Sequence, residues 1–331
     1  MKKILATVLI LTLTLLAFTA CGGKEKDDNT KIKVGFLSGP TGIGMAKLIN
    51  DNGGLTGNEK YSFRSYAAEE QPTSIAKAEL LTGNVDVICL PTNEAAAYYN
   101  STDDNSVVLA INTLNTLFFI SDENNSISSL SDLNGKTIYT CENGTPKIVL
   151  EHLLESAKIN ATVSTNINGT NIGSPEHLKQ QIVKGSVSIA FAPEPIVSAA
   201  AFARTNSNKT PYSVDIKCDD VWNANCKSTL AMGCIIANKS FVDAHPTVIK
   251  DFLNEYKASI DFISNAQNID SAAEYVKNAG ILPNLNVAKS AIANLGSSIA
   301  YVDGNKMKET LEAFYKEIGI NAPEAKFYYA K

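Results

Sequence analysis

The stretch "GNVDVICLPTNEAAA" (83–97) decides the fold, because it returns in altered form as "GSVSIAFAPEPIVSAA" (185–200). Both phrases run glycine, apolar strand, proline, polar pair and alanine-rich helix. A short apolar run that ends in a turn and passes into a helix is the unit of α/β folds, in which helices cover a largely parallel sheet. A second pair of phrases repeats the pattern. "KVGFLSGPTGIGMAKLI" (33–49) and "KTIYTCENGTPKIVLEHLL" (136–154) each give strand, glycine turn, proline and helix. The strand–turn–helix elements of one lobe are thus echoed in a second.

Between the echoed blocks, "VVLAINTLNTLFFISD" (107–122) reads as two apolar strands with a polar interruption over Asn112 to Asn115, a chain crossing between lobes. A second crossing is expected near "STLAMGCIIANK" (228–239). Beyond Ala244 the chain reads as mostly helical. Val248, Phe252, Tyr256, Ile260 and Ile263 recur every three or four residues and make one apolar face, and Pro246 fits a first helical position. The expected division is lobe 1 over 32–113 and 229–331, and lobe 2 over 114–228. In open α/β sheets a ligand lies outside the carboxyl ends of the strands, so the turns at those ends would face one another across a cleft.

The glycines of the first turn fit neither phosphate-binding motif. A Walker A loop needs G-x-x-x-x-G-K-[ST]; Gly39 and Gly44 have the spacing, but Met45 and Ala46 follow. The order Gly39, Gly42, Gly44 is also the wrong one for G-x-G-x-x-G. What remains is close backbone approach to a ligand, with free N–H groups at a helix start, or a tightly packed cap.

The ends of the 331-residue chain bear on its location. Lys2 and Lys3 precede a run without charge from Ile4 to Ala20, then Cys21-Gly22-Gly23. This is the layout of a secretory signal over 1–20. The polar stretch over 21–31 reads as a flexible tether. The formal net charge is −5, and it becomes two units more negative once both lysines are removed. An acidic body argues against nucleic acid as a partner. Cys89, Cys141 and Cys234 sit in or beside apolar runs, as free buried cysteines do. Cys218 and Cys226 flank a short loop and are left either bridged or free. No CxxC occurs and only three histidines are present, so no metal site is expected.

Cys21 after Thr19-Ala20 resembles the lipobox of bacterial lipoproteins, with Phe18 where Leu is usual. With it come "GPTGIGMAKL", "GNVDVICLPTN", "INTLNTLFFI", "LSDLNGKTIY", "GTPKIVLEHLL", "VSIAFAPEP" and "HPTVIKDFLNEY", in that order. Together they resemble a solute-binding lipoprotein of an ABC importer, of the group handling nitrate, sulfonates, taurine and thiamine or pyrimidine precursors. The resemblance covers nearly the whole mature chain. It implies a two-lobed periplasmic-binding-protein-like fold of type II with two crossover strands as hinge. It further implies a monomer, lipid on Cys21 at the outer face of the cell membrane, an ABC permease and ATPase as partners, and no cofactor.

The ligand-binding residues implied are the matching turns: Ser38, Gly39, Pro40 and Thr41; Thr92 and Asn93; Asn112 and Thr113; Asn143, Gly144 and Thr145; and Glu194. None is Lys or Arg, and Glu142 and Glu194 add carboxylates, so a neutral or cationic, heteroaromatic ligand is favoured over a sulfonate. Trp222 and Tyr139 are candidate stacking faces, with packing in a loop helix an equal alternative for Trp222. Two other classes stay open. One is an enzyme of the same fold using Glu142 and Glu194 as an acid–base pair, although no histidine adjoins a nucleophile motif and there is no G-x-S-x-G. The other is a receptor serving a membrane sensor.

Overall fold

The computed structural model describes residues 29–67, 69, 71–102 and 104–329. The signal, Cys21 and nearly all of the tether lie outside these. Residues 31–331 form one compact unit. Its chain order gives strands β1 (Ile32–Phe36), β2 (Tyr61–Ser65), β3 (Val87–Pro91), β4 (Ser106–Leu114), β5 (Leu117–Ser121), β6 (Thr137–Tyr139) and β7 (Thr162–Ser164). There follow β8 (Asn166–Ile167), β9 (Thr170–Asn171), β10 (Ile189–Pro193), β11 (Ser213–Lys217), β12 (Ala231–Asn238) and β13 (Ile299–Val302).

Two mixed sheets result, of order β13-β4-β12-β3-β1-β2 and β11-β5-β10-β6-β7, with β8-β9 a separate hairpin. The fold is α/β and two-lobed. Setting β13 aside, the sheets have the same plan. β2-β1-β3 and β7-β6-β10 are parallel triplets. Each is extended by one antiparallel strand, β12 or β5, that adjoins a crossing of the chain. β4 or β11 then closes the row on its far side. The strands that repeat in sequence, β3 with β10 and β1 with β6, occupy equivalent places. β4 is buried along nearly its whole length and β3 through Leu90, which is why they read as continuous apolar runs rather than alternating ones.

The crossings differ in detail from the polar interruption read over Asn112 to Asn115. Asn112 and Thr113 belong to β4, and the chain changes sheets at Asn115-Thr116. On the return, the chain leaves the helix Cys218–Asn225 and enters the first sheet at Ala231. β13 sits inside the stretch read as helical; it is four residues long and pairs only at the edge of the sheet, on β4. The helix Pro246–Ile263 buries all five residues of its apolar stripe.

The first glycine turn opens two short helices rather than one. Pro40–Ile43 makes a single turn, and Ala46–Asp51 follows after a break. Ser259 of the long helix spans that break: its Oγ donates to the Gly44 carbonyl at 2.7 Å and accepts from the Leu48 amide at 3.0 Å. Ser259→Ala leaves both buried backbone groups without that partner, and the expected loss is about 1–3 kcal/mol of unfolding free energy, measurable by urea denaturation. Gly39 and Gly144 precede the equivalent helices with nearly equal angles, φ 97°, ψ −159° and φ 98°, ψ −178°. That region is open to glycine almost alone, so Gly39→Ala and Gly144→Ala should each cost about 1–3 kcal/mol in the same measurement.

Candidate functional site

The one-turn helix Pro40–Ile43 is too short to satisfy its own carbonyls, and a helix end leaves such groups orphaned. β4 supplies the partners. Thr113 Oγ1 donates to the Pro40 carbonyl at 3.2 Å, and Asn112 Nδ2 donates to the Thr41 carbonyl at 3.1 Å. The single Thr113 hydroxyl proton is shared between Pro40 and Asn112 Oδ1, which lies 2.9 Å away, and Asn112 Nδ2 also donates to the Tyr256 hydroxyl at 3.0 Å. Asn112 and Thr113 are fully buried. Their polar atoms brace the turn, in which Ser38 is exposed, Gly39 buried and Pro40 half-buried.

At the end of β3, Thr92 is also buried. Its hydroxyl donates to the Ala231 carbonyl of β12, and its own carbonyl accepts from the Tyr315 hydroxyl at 2.9 Å. Asn93, the next residue, faces the other sheet. Its Oδ1 accepts from Thr145 Oγ1 at 2.9 Å. Thr145 opens the helix Thr145–Ser156 behind β6. Asn143 is exposed and donates to the Gly173 carbonyl at 3.3 Å. The turn after β3 in one sheet thus touches the turn after β6 in the other.

Two further contacts join the sheets. A Cβ built on Gly39 would lie 3.5 Å from Pro195 Cδ, so the first turn sits against the turn after β10. Beside Pro195, Glu194 is 1% exposed. Its Oε1 accepts from Asn294 Nδ2 at 2.6 Å and from Ser198 Oγ at 2.9 Å, and its Oε2 from the Ser198 amide at 3.2 Å. Asn294 belongs to the helix Leu285–Leu295, which packs in the core of the first sheet. Burial pushes the Glu194 carboxyl above the usual glutamate range, against the donors from Asn294 and Ser198. Ser198 and Asn294 also line a groove of about 590 Å³ with Ala201, Phe202, Asn286 and Ser290.

Ser198 and Asn294 were not foreseen. Ser198 lies in the first turn of the helix Ile196–Asn206, which Glu194 precedes, so its amide and hydroxyl are both within reach of the carboxylate. Nothing in "AIANLG" sets Asn294 apart. Of the two roles left open for Trp222, packing is the one found: its ring is fully buried, its Nε1 donates to the Ser228 carbonyl at 2.7 Å, and it packs edge-on to Phe314 at 6.4 Å. Glu142 is exposed and bonded to Asn171. It follows β6 as Glu194 follows β10, so both carboxylates stand on one sheet and do not form a pair across the boundary. Cys218 and Cys226 are both free thiols.

The NMT1/THI5-like family model matches residues 67–268. No curated protein matches the chain by sequence. Among solved structures the chain is similar to an ABC transporter from Parabacteroides distasonis, at 18% identity and TM-score 0.69, over 91% of this chain and 99% of that one. It is similar to the periplasmic aliphatic sulphonate binding protein SsuA from Escherichia coli, at 14% identity and TM-score 0.64, over 90% and 92%. The periplasmic nitrate-binding protein NrtA from Synechocystis gives 12% identity and TM-score 0.53, over 76% and 66%. These likenesses extend across both sheets and carry the two-lobed fold, while the match over 67–268 spans more than half of the sequence, so the chain belongs to the NMT1/THI5-like family.

Proposed function

We propose that this protein captures a small molecule between its two lobes and delivers it to an ABC permease and its ATPase. In this reading it is a monomer, held at the outer face of the cell membrane by lipid on Cys21. The observation that carries the reading is the meeting of strand-end turns from both sheets, at Asn93 with Thr145, Gly39 with Pro195, and Glu194 with Asn294. A ligand lodged among these turns contacts both lobes at once. Such a ligand binds the closed arrangement better than an open one, and that differential drives closure.

The proposed role is binding without catalysis. Burial pushes the Cys89 thiol up to about 12 and the Cys141 thiol to about 11, far from the range in which a thiolate nucleophile forms. No helix among the described residues is long and apolar enough to cross a membrane.

The chemistry of the turns points to the ligand class. They hold neutral hydrogen-bonding groups and no Lys or Arg. Glu194 is a buried acceptor whose three protein donors leave one oxygen, Oε2, with a single partner. A ligand N–H, neutral or cationic, suits that oxygen. A sulfonate placed there would meet like charge. We therefore propose a nitrogen-bearing, heteroaromatic ligand such as a vitamin or pyrimidine precursor.

A thermal-shift screen of thiamine and pyrimidine precursors, nucleobases, amino acids, sulfonates and nitrate tests this. A ligand at a hundred times its Kd adds about 2.7 kcal/mol, which lifts Tm by several degrees at roughly 2–4 °C per kcal/mol. The expected hit carries N–H donors. A sulfonate or nitrate hit would overturn the ligand class while leaving the binding role intact. Glu194→Gln separates stability from function. Because the Glu194 pKa is raised on folding, its ionisation lowers stability as pH climbs from the usual glutamate value to the raised one. The glutamine variant should match or exceed the parent in Tm at neutral pH, yet bind the hit at least tenfold more weakly. Unchanged affinity by calorimetry would remove Glu194 from the site.

A further inference from the structure

Away from the turns, three helices end at one place. They are Thr145–Ser156 on the second sheet, Cys218–Asn225 beside the return crossing, and Gly304–Glu317 on the first sheet. From these ends come His152, Cys226 and Glu317, whose imidazole nitrogen, Sγ and carboxylate oxygen all lie within 4.8 Å of one another. His152 Nε2 is 3.0 Å from Glu317 Oε1. All three residues are half-buried, with the histidine and glutamate side chains 26% and 16% exposed.

The cluster is electrically odd. Glu317 is the last residue of its helix, where the macrodipole is negative and a carboxylate is disfavoured. Cys226 caps the C-terminus of a second helix and His152 sits one turn from the C-terminus of a third. The remaining polar partners are few. Glu317 Oε2 accepts from the Lys227 amide at 3.2 Å, and the Ser156 hydroxyl lies 3.3 Å from His152 Nε2. Negative helix ends, a carboxylate, a thiol and an imidazole together favour a cation that accepts sulfur, nitrogen and oxygen donors.

We propose that His152, Cys226 and Glu317 form a binding site for a divalent transition ion of the zinc class, with solvent in the fourth position. Tetrahedral coordination at zinc bond lengths sets donors roughly 3.3–3.8 Å apart, so side-chain adjustments of about 1 Å close the set. The thiol proton passes to solvent as the Sγ–metal bond forms. The dication then balances one thiolate and one carboxylate. Because the thiol gives up its proton on binding, the affinity should rise with pH across the neutral range. Glu317 rides on a helix packed against β4 and β12, whereas His152 rides on one packed against β7 and β10. The ion would therefore tie a helix of one lobe to a helix of the other, apart from the ligand turns.

Cobalt titration of the full chain, reduced and freed of metal, tests this. One equivalent should bind with a thiolate charge-transfer band and tetrahedral visible absorption, and zinc should displace it. Cys226→Ser and Glu317→Gln should each weaken binding at least a hundredfold with unchanged circular dichroism, while Cys141→Ser should retain it. Absence of a thiolate band in the reduced protein, or a band that persists in Cys226→Ser, would overturn the site.

Discussion

Each sheet is completed by a strand lying beside a crossing of the chain, and the rest of the molecule depends on that exchange. β12 fills the gap between β3 and β4, antiparallel to both. β5 does the same between β10 and β11. Without them the first sheet would split into a triplet and the pair β13-β4, and the second into a triplet and lone β11, with buried N–H and C=O groups left unpaired at a cost of about 1–3 kcal/mol each. The two crossings are therefore integral to both sheets. They also bring the carboxyl ends of β1, β3, β6 and β10 to a common boundary.

At that boundary the polar chemistry is short-range. One-turn helices and strand ends expose backbone groups that need partners, and neighbouring side chains supply them. Asn112 and Thr113 satisfy Pro40 and Thr41, Thr92 satisfies Ala231, and Ser259 bridges Gly44 and Leu48. These residues are fully occupied in holding shape. Asn93, Thr145 and Glu194 differ, because each has a partner in the other lobe. A bond between lobes is one that an arriving ligand can replace or reinforce, whereas a brace within a lobe is not. Glu194 carries an added tension, since a buried carboxylate costs stability and persists most readily where a ligand makes use of it.

The lobes meet in a second way near the return crossing. Trp222 packs against Phe314, and one continuous apolar cluster includes Ile88 and Leu90 of β3 with Phe119 of β5 and Phe191 of β10. Apolar contact there is broad and non-directional. The boundary at the turns, by contrast, is made of few directional bonds. His152, Cys226 and Glu317 lie at the apolar junction, with the His152 ring 5.5 Å from that of Trp222.

Much of this was legible in the residues. The repeat of "GNVDVICLPTNEAAA" in "GSVSIAFAPEPIVSAA" marks equivalent strands, and the apolar stripe from Val248 to Ile263 marks a helix, because local periodicity records which face is buried. Gly39 and Gly144 mark their turns because few other residues tolerate such backbone angles. The short edge strand β13, the break at Gly44, and the burial of Trp222 were not legible, since each depends on a neighbour distant in sequence. Pairing on β4, Ser259 and Phe314 decide them. The candidate site divides likewise. Its turns could be read from strand–turn–helix order, but which polar atoms brace and which reach across could not. Asn294 meets Glu194, and Glu317 meets His152, only because the chain crosses twice and returns. By itself the sequence determined the elements and the order of the turns, through periodicity and backbone limits that act within a few residues. Only the tertiary structure decided which side chains share a site, because hydrogen bonding acts over a few ångströms between residues from 52 to 165 apart along the chain.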